Sequence, residues 1–239
     1  MYRYILLLSL AALPFTSCDT IKNLPGAGTY APITEAEAAE GIRQALDQGV
    51  SRGISTLNAR DGFFGNAAYK ILMPPGAQRI ETTLRDLGMG SMVDRAILQV
   101  NRAAEQAVVQ ARPIFVDALR QMTITDALNI VRGGRNSATQ YFRDKTTAAL
   151  ITAFTPIIRS TLDQVNATKY YDEVIGIYNG FPTTQQKLNP DLVSYVAGKA
   201  VDALFDQVAQ EEANIRANAA ARTTDVLKRV FGAAANNRG

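Results

Sequence analysis

Residues 91–112 of the chain read SMVDRAILQVNRAAEQAVVQAR. The apolar residues of this stretch recur every three or four positions, which places them along one face of an α-helix. They are Val93, Ile97, Val100, Ala104, Ala107, Val108 and Ala111. Because many of these side chains are small, we expect a second helix to pack closely against this face. Pro113 follows at once and predicts that the helix kinks or restarts there.

A ridge of polar residues flanks this apolar stripe. It consists of Asp94, Asn101, Glu105 and Arg112, which share one flank of the helix at helical spacing. Polar side chains beside a buried face need hydrogen-bond or ionic partners. The ridge is therefore a candidate for a buried polar network or for the wall of a cleft.

The first helix is predicted to begin at Thr34. Thr34 and Glu37 have the spacing of a capping box, in which each side chain satisfies a backbone amide of the first turn. Gly49 and Gly53 lie on the apolar face of the same helix. Glycine disfavours a helix, so we expect the backbone of another helix to approach closely at these two positions.

Further helix boundaries follow from capping and helix-breaking residues. In chain order we predict a short helix ended by Pro74, a helix over Gln78 to Leu87 ended by Gly88 and Gly90, one from Thr125 to Gly133, one that begins at Ser137 and bends at Pro156, a long one capped by Asn189, and a last one capped at Arg222, Thr223 and Thr224. No strand-like alternation of useful length occurs. The sequence predicts an all-α fold, with one multi-helix, bundle-like domain over 34–232 and a flexible tail over 233–239.

Two adjacent phenylalanines lie in a turn-forming segment, DGFFGN, at residues 61–66. They could form an exposed patch for a membrane or a partner, or they could fold back onto the core. We favour the second interpretation because solvent-exposed pairs of aromatic side chains are costly.

The long helix after Asn189 places a carboxylate, Glu211, within its apolar stripe. Such a group needs a cationic partner or a raised pKa. The arginines considered as partners are Arg102, Arg112, Arg135 and Arg143, with Arg216 as the local alternative. Glu211 and Glu105 could act as the acid and base of an enzyme, or both could be structural ion pairs. Structural pairs are the more common arrangement.

Composition narrows the classes of function. The chain has 25 basic and 22 acidic residues, and its arginines are scattered, so the charge does not support binding to nucleic acid. It contains no histidine. With the cysteine assigned to lipid, as argued next, ordinary zinc sites and histidine-based catalytic triads are excluded. We therefore predict no metal, no cofactor and no catalytic residue.

The chain has one cysteine, Cys18, and it follows a short apolar leader. Arg3 supplies the positive charge of that leader, and the apolar run over 5–13 is too short to span a bilayer. Residues 1–17 are typical of a bacterial lipoprotein signal peptide, and Cys18 is the predicted lipidation site. The alternative is an ordinary secretory peptide that leaves a free thiol. Acylation accounts better for a lone cysteine in an exported protein.

Residues 18–33 contain proline, glycine and few apolar residues, which predicts a flexible tether behind the lipidated terminus. We expect a lipid-anchored protein of the bacterial cell envelope, held at the outer membrane and facing the periplasm. The membrane would then be its first partner, through Cys18.

Several separated motifs carry a resemblance to a known family. They are NRAAE at 101–105, MTITDA at 122–127, SATQYFR at 137–143, and a C-terminal signature over 211–218 and 222–232. In this order they resemble the domain-of-unknown-function 4197 family of bacterial exported proteins. The resemblance covers about residues 39–232. It implies an all-helical domain behind an export signal, without assigned catalytic residues.

The periodicity and the resemblance together single out one candidate polar cluster or binding site. Its members are Asn101, Arg102, Glu105, Tyr141, Arg143, Glu211, Glu212, Arg216 and Arg222. The leading hypothesis is a non-catalytic binding or scaffolding module that presents a groove to an envelope protein or an apolar small molecule. One alternative is an enzyme built on Glu105 and Glu211. Another is a carrier of a lipid or other apolar ligand, which requires a dry internal cavity. These patterns leave the oligomeric state open.

Overall fold

The computed structural model of the chain describes residues 34–180, 187–189 and 191–236. The predicted signal peptide and tether lie outside these residues. Within them the fold is all-α and contains no strand, which confirms the predicted class. The helices are α1 (Glu35–Asn58), α2 (Gln78–Asp86), α3 (Gly90–Ala107), α4 (Ala111–Gln121), α5 (Ile124–Arg132), α6 (Ser137–Asp163), α7 (Ala167–Gly180), α8 (Leu192–Ala217) and α9 (Asp225–Asn236).

Helix α1 is the centre of the packing and contacts α3, α4, α5, α8 and α9. Its predicted capping box is present: the Thr34 hydroxyl accepts from the Glu37 amide at 3.2 Å, and the Glu37 carboxylate accepts from the Thr34 amide at 3.0 Å. The predicted close approach is also confirmed, and the approaching helix is α8. A Cβ atom added at Gly53 would lie 3.1 Å from Cβ of Gln207, and one at Gly49 would lie 3.5 Å from Cβ of Glu211.

Helices α3 and α4 run antiparallel to α1. The Asn58 amide group, at the end of α1, donates to the Glu105 carbonyl at 2.9 Å, whereas Arg43 near its start donates to the Met122 carbonyl at 2.7 Å. The first fifteen residues of α3 therefore extend roughly 20 Å beyond the C-terminal end of α1. The predicted break falls at a short 3-10 helix, Val108–Gln110, and Pro113 then lies in the first turn of α4, where its missing amide hydrogen is tolerated.

Several helix ends differ from the prediction. Residues 59–74 form turns, so the short helix expected before Pro74 is wrong. Gly88 ends α2 in the left-handed region, but Gly90 opens α3 instead of ending the helix before it. Turn residues alone do not show on which side of a break the next helix begins.

The starts of α5 and α8 are also displaced. Thr123, not Thr125, caps α5, because its hydroxyl accepts from the Asp126 amide. Asp191, not Asn189, caps α8, since its carboxylate accepts from the Ser194 amide at 2.9 Å. Helix α7 was not predicted, and α9 continues to Asn236, so residues 233–236 of the predicted tail are helical.

An aromatic cluster joins α4, α6 and α8 in the core. The ring of Phe115 meets that of Phe142 edge-on at 4.9 Å and that of Phe205 at 6.0 Å between centroids. The two phenylalanines of the 61–66 segment also face inward: Phe63 is fully buried, and Phe64 is half-buried beneath the ammonium of Lys70. The interpretation that this segment folds back onto the core is confirmed.

Candidate functional site

Glu212 of α8 lies at the amino-terminal end of α6. Its side chain is only 5% exposed, and its carboxylate accepts from the Ala138 amide at 3.1 Å, the Thr139 amide at 2.9 Å and the Thr139 hydroxyl at 2.8 Å. Asn136, at the N-cap position of α6, makes no side-chain capping bond. A carboxylate from another helix therefore caps α6. Its negative charge is also stabilised there by the positive end of the helix dipole.

Arg216, one turn further along α8, completes this arrangement. Its guanidinium donates to Glu212 at 2.8 Å, to the Ile130 carbonyl at 3.0 Å and to the Ser137 hydroxyl at 2.9 Å. Ile130 lies near the end of α5 and Ser137 at the start of α6. Glu212 and Arg216, here called the α8 clamp, thus fasten the α5–α6 connection onto α8.

Arg222 closes the carboxyl-terminal end of α8. Its buried guanidinium donates to the carbonyls of Ile215 and Arg216, both at 3.1 Å. Carbonyls at the end of a helix have no intrahelical partner, and basic side chains commonly satisfy them. The role of Arg222 in this structure is therefore to cap a helix.

Asn101 holds the segment that connects α1 to α2. It is fully buried, accepts from the Ile71 amide at 2.8 Å, and donates to the carbonyls of Ile71 at 2.8 Å and Ile97 at 2.7 Å. Every polar atom of this amide side chain has a partner. The backbone amide and carbonyl of Ile71 lie in an irregular segment without helical hydrogen bonds, and the Asn101 side chain supplies their partners.

Glu105 holds the same segment one turn later. Its carboxylate accepts from the amides of Phe63 at 3.2 Å and Phe64 at 3.4 Å, and from Arg102 at 2.6 Å. Arg102 also pairs with Asp61 at 2.7 Å. Its hydrogen bond to Glu105 and then that to Asp61 raise the pKa of Arg102 above the ordinary value, despite desolvation. The Glu105 carboxylate is thus paired with a cation, and both of its oxygens accept hydrogen bonds that hold the turn in place.

The other two members of the predicted polar ridge do not join this network. Asp94 is exposed and pairs with Arg85 of α2 at 2.8 Å. Arg112 lies in α4, where it contacts the Ser51 hydroxyl and lies 3.6 Å from the Asp47 carboxylate. The break at Val108–Gln110 separates Arg112 from the ridge, whereas Asp94 lies two turns before Asn101, at the exposed start of α3.

Glu211 pairs with an arginine that the sequence argument did not consider. Its carboxylate accepts from Arg52 at 2.6 Å and from the Gln48 amide group at 3.0 Å, both on α1. None of the five arginines proposed as its partner is correct, because α1 covers this side of α8. Glu211 lies on the flank of the apolar stripe, and the neighbouring Glu212 occupies the buried position. Glu105 and Glu211 bind different arginines and do not form an acid–base pair.

Tyr141 and Arg143 lie apart from both clusters. Arg143 pairs with Asp202 at 3.2 Å and stacks over the ring of Phe205, 4.6 Å from its centroid. Burial, and then the charge of Asp126, raise the pKa of Tyr141. The nine candidate residues therefore lie in two hydrogen-bonded networks and at three separate contacts.

A further polar cluster, on Tyr69, was missed. The Tyr69 hydroxyl donates to Asp206 at 2.6 Å and accepts from the amide groups of Gln207 at 2.9 Å and Gln210 at 2.8 Å. Burial and the bond to Asp206 raise the pKa of Tyr69. The available signal was the spacing of Asp206 and Gln210, four residues apart on one flank of α8.

The outer face of α1 forms the floor of an open cleft of about 800 Å³. Helix α4 supplies one wall, and the start of α9 with the residues before it supplies the other. We call this cleft the α1 groove; its lining residues are Glu40, Arg43, Gln44, Asp47, Gln48, Ser51, Arg52, Val116, Leu119, Arg120, Thr223, Thr224 and Leu227. No candidate site was predicted on this polar face of α1.

An enclosed space also lies beside the α8 clamp, lined by Ile42, Leu46, Val208 and their neighbours. Its volume is about 10 Å³, which is room for one water molecule at most. None of the described helices is long and apolar enough to cross a bilayer. Among the same residues, no group of three or more Cys, Asp or Glu side chains is arranged to hold a metal ion.

The fold and these clusters define an all-helical domain in which buried polar residues join helices and turns, with an open polar groove on one side. A family model described as "Protein of unknown function (DUF4197)" matches residues 32–232. The chain belongs to this family. Comparison with curated proteins and with solved structures found no match.

Proposed function

We propose that the protein is a lipid-anchored component of the bacterial cell envelope whose helical domain binds a polypeptide segment of another envelope protein in the α1 groove. The observation that carries this proposal is the groove itself. It is a shallow depression of about 800 Å³ that is open to solvent, a shape that suits a polypeptide segment lying on the surface better than an enclosed small molecule.

The chemistry of the groove floor selects the kind of ligand. Glu40, Arg43, Asp47 and Arg52 follow one another along α1 and alternate in sign. An apolar molecule would remove these charges from water without replacing their hydrogen bonds. A polypeptide carries donors, acceptors and charges of both signs, so it matches this floor better than a lipid does.

The alternatives of an enzyme and a carrier have less support. Glu105 and Glu211, the carboxylates of the enzyme hypothesis, belong to separate ion pairs. The carrier hypothesis needs a dry internal cavity, whereas the space beside the α8 clamp holds about 10 Å³. Two larger cavities, of about 400 Å³ beside Tyr171 and about 420 Å³ beside Arg159, are more open to solvent. A binding module needs neither feature.

Attachment to the membrane rests on Cys18 and the leader before it. We place the protein at the outer membrane, facing the periplasm. The rigid domain begins at Thr34, so sixteen residues, 18–33, separate it from the acylated cysteine. Several acyl chains on one cysteine make such attachment effectively permanent.

Cys18→Ser is expected to abolish acylation and to move the protein from the membrane fraction to the soluble fraction. Cell fractionation with metabolic labelling by an alkyne fatty acid measures both effects. Ala149→Cys, which adds an exposed cysteine on α6, is the control and keeps both properties. Continued labelling of Cys18→Ser would show that Cys18 is not the anchor.

Asp47→Arg is expected to weaken capture of the polypeptide partner by about tenfold or more, because a positive charge at position 47 would repel a cationic group of the partner that faces Asp47. Asp47 is half-exposed and its nearest cation, Arg112, is 3.6 Å away, so stability should change little. The measurement is photo-crosslinking in intact cells from a benzoylphenylalanine placed at Arg120, in the groove wall.

Asp144→Arg, an equivalent charge reversal on the exposed side of α6, is the matched control and should leave the crosslink unchanged. Equal yields from the Asp47 and Asp144 variants would contradict the groove as the binding site. A crosslinked lipid in place of a polypeptide would favour the carrier hypothesis.

A further inference from the structure

The turn between α2 and α3 exposes three large apolar side chains. Leu87 is 70% exposed, Met92 is 46% and Met89 is 36%. Helix α2, which leads into this turn, contains no buried residue. Scattered exposed apolar residues are ordinary, but three within six positions of one turn concentrate exposed apolar surface in one place, here called the patch, as is typical of an interaction surface.

The backbone holds this patch in a fixed shape. Gly88 adopts φ +80°, its amide donates to the Arg85 carbonyl at 3.0 Å, and the Met89 amide donates to the Leu84 carbonyl at 2.9 Å. These two bonds form a Schellman motif, which ends α2 and directs the chain into α3.

A side-chain contact joins the two helices as well. The Arg85 guanidinium lies 2.9 Å from Glu81 of α2 and 2.8 Å from Asp94 of α3. The apolar residues are therefore presented by a braced turn. A braced surface loses little conformational freedom on binding, which favours association.

The patch is remote from the α1 groove. Because α3 runs antiparallel to α1 and extends past its end, the α2–α3 turn lies at the opposite end of the domain from Thr34, whereas the groove follows α1 from Glu40 to Arg52. A partner in the groove would leave this turn uncovered.

The charges around the patch point to one kind of occupant. Its rim carries three arginines and three carboxylates, namely Arg79, Arg85, Arg95, Glu81, Asp86 and Asp94. Anionic lipid headgroups attract an excess of basic residues, and this rim has none. In a twofold interface, the same rim faces its own copy, so Asp86 of one copy can face Arg79 or Arg95 of the other, while Arg85 stays bound to Glu81 and Asp94 of its own chain.

We propose that the α2–α3 turn is the interface of a homodimer, in which two copies meet about a twofold axis with Leu87, Met89 and Met92 at its centre. Methionine adapts its shape to an apolar partner, which suits a small self-complementary contact. This interface does not depend on what the α1 groove binds.

The test is cysteine crosslinking of the full-length protein in native membranes. Met92→Cys is treated with bismaleimidoethane, a short thiol-reactive crosslinker, and is expected to give a covalent dimer of twice the chain mass. Ala149→Cys, on the exposed side of α6, is the matched control for random collisions, and the unaltered chain controls for Cys18.

A second substitution distinguishes a specific interface from incidental contact. Leu87→Glu, added to Met92→Cys, is expected to lower the dimer yield at least tenfold, because it places two carboxylates across the axis. Equal yields from Met92→Cys and Ala149→Cys, no dimer at all, or an adduct with a different protein would each overturn the proposal.

Discussion

Glu212→Ala is expected to lower the free energy of unfolding by about 3–5 kcal/mol, the range observed when one member of a buried ion pair is removed. The substitution leaves the amides of Ala138 and Thr139 without their acceptor and leaves the largely buried Arg216 without its carboxylate. Urea denaturation followed by circular dichroism measures the change. An effect of this size would remove a large share of the free energy of unfolding of a typical domain, which is only about 5–15 kcal/mol.

The adjacent glutamate is the matched control. Glu211→Ala removes the same side chain one position earlier. Glu211 is only 12% exposed, but its partner Arg52 is 50% exposed and can be solvated after the substitution, so the expected loss is smaller, about 1–2 kcal/mol. If the two variants lose equal stability, the α8 clamp does not have the structural role described here.

Phe115→Ala is expected to cost about 3–5 kcal/mol, as is usual when a buried phenylalanine is truncated. Helix α4 buries only Ala111, Phe115 and Leu119, and Phe115 is the residue that meets the aromatic rings of α6 and α8. Since α4 forms one wall of the α1 groove, the variant should also lose the crosslink to the proposed polypeptide partner. Thermal and urea denaturation measure the first effect, and the crosslink yield measures the second.

Val116→Ala is the matched control for the effect of Phe115→Ala on stability. Val116 follows Phe115 on α4 but is half-buried in the groove wall, so its truncation should cost about 1 kcal/mol or less. A loss of stability as large as that of Phe115→Ala would show that the aromatic cluster does not anchor α4.

The helical fold could be predicted because its signals are local. A capping box at Thr34 depends only on residues within one turn, and Gly49 and Gly53 indicated a close approach whatever the approaching element was. Helix ends were harder to predict, because either of two nearby residues could cap the helix. The chain uses Asp191 where the sequence offered Asn189 two residues earlier.

The polar networks were predicted in part, for a different physical reason. Periodicity showed that Asn101 and Glu105 lie beside a buried face, but it could not show that they hold the backbone of Phe63 and Ile71. The choice between Glu211 and Glu212 depends on which helices cover α8 from each side, and that is a property of the tertiary packing.

The α1 groove was not predicted because its floor is polar. A polar helix face is the same in sequence whether it meets bulk water or lies between two walls, and only the positions of α4 and α9 distinguish these cases.

The position of α1 has a mechanical consequence for a tethered protein. If the domain is anchored through Cys18, as proposed above, a pull from the anchor enters it at Thr34 and is directed into α1, which contacts five other helices along its length. The first turn is also joined to α9, because Glu37 pairs with Arg229 at 2.7 Å. A force at this end must break several contacts of α1 at once, because α1 cannot separate from one neighbouring helix at a time. The domain should therefore stay folded while its tether is under load.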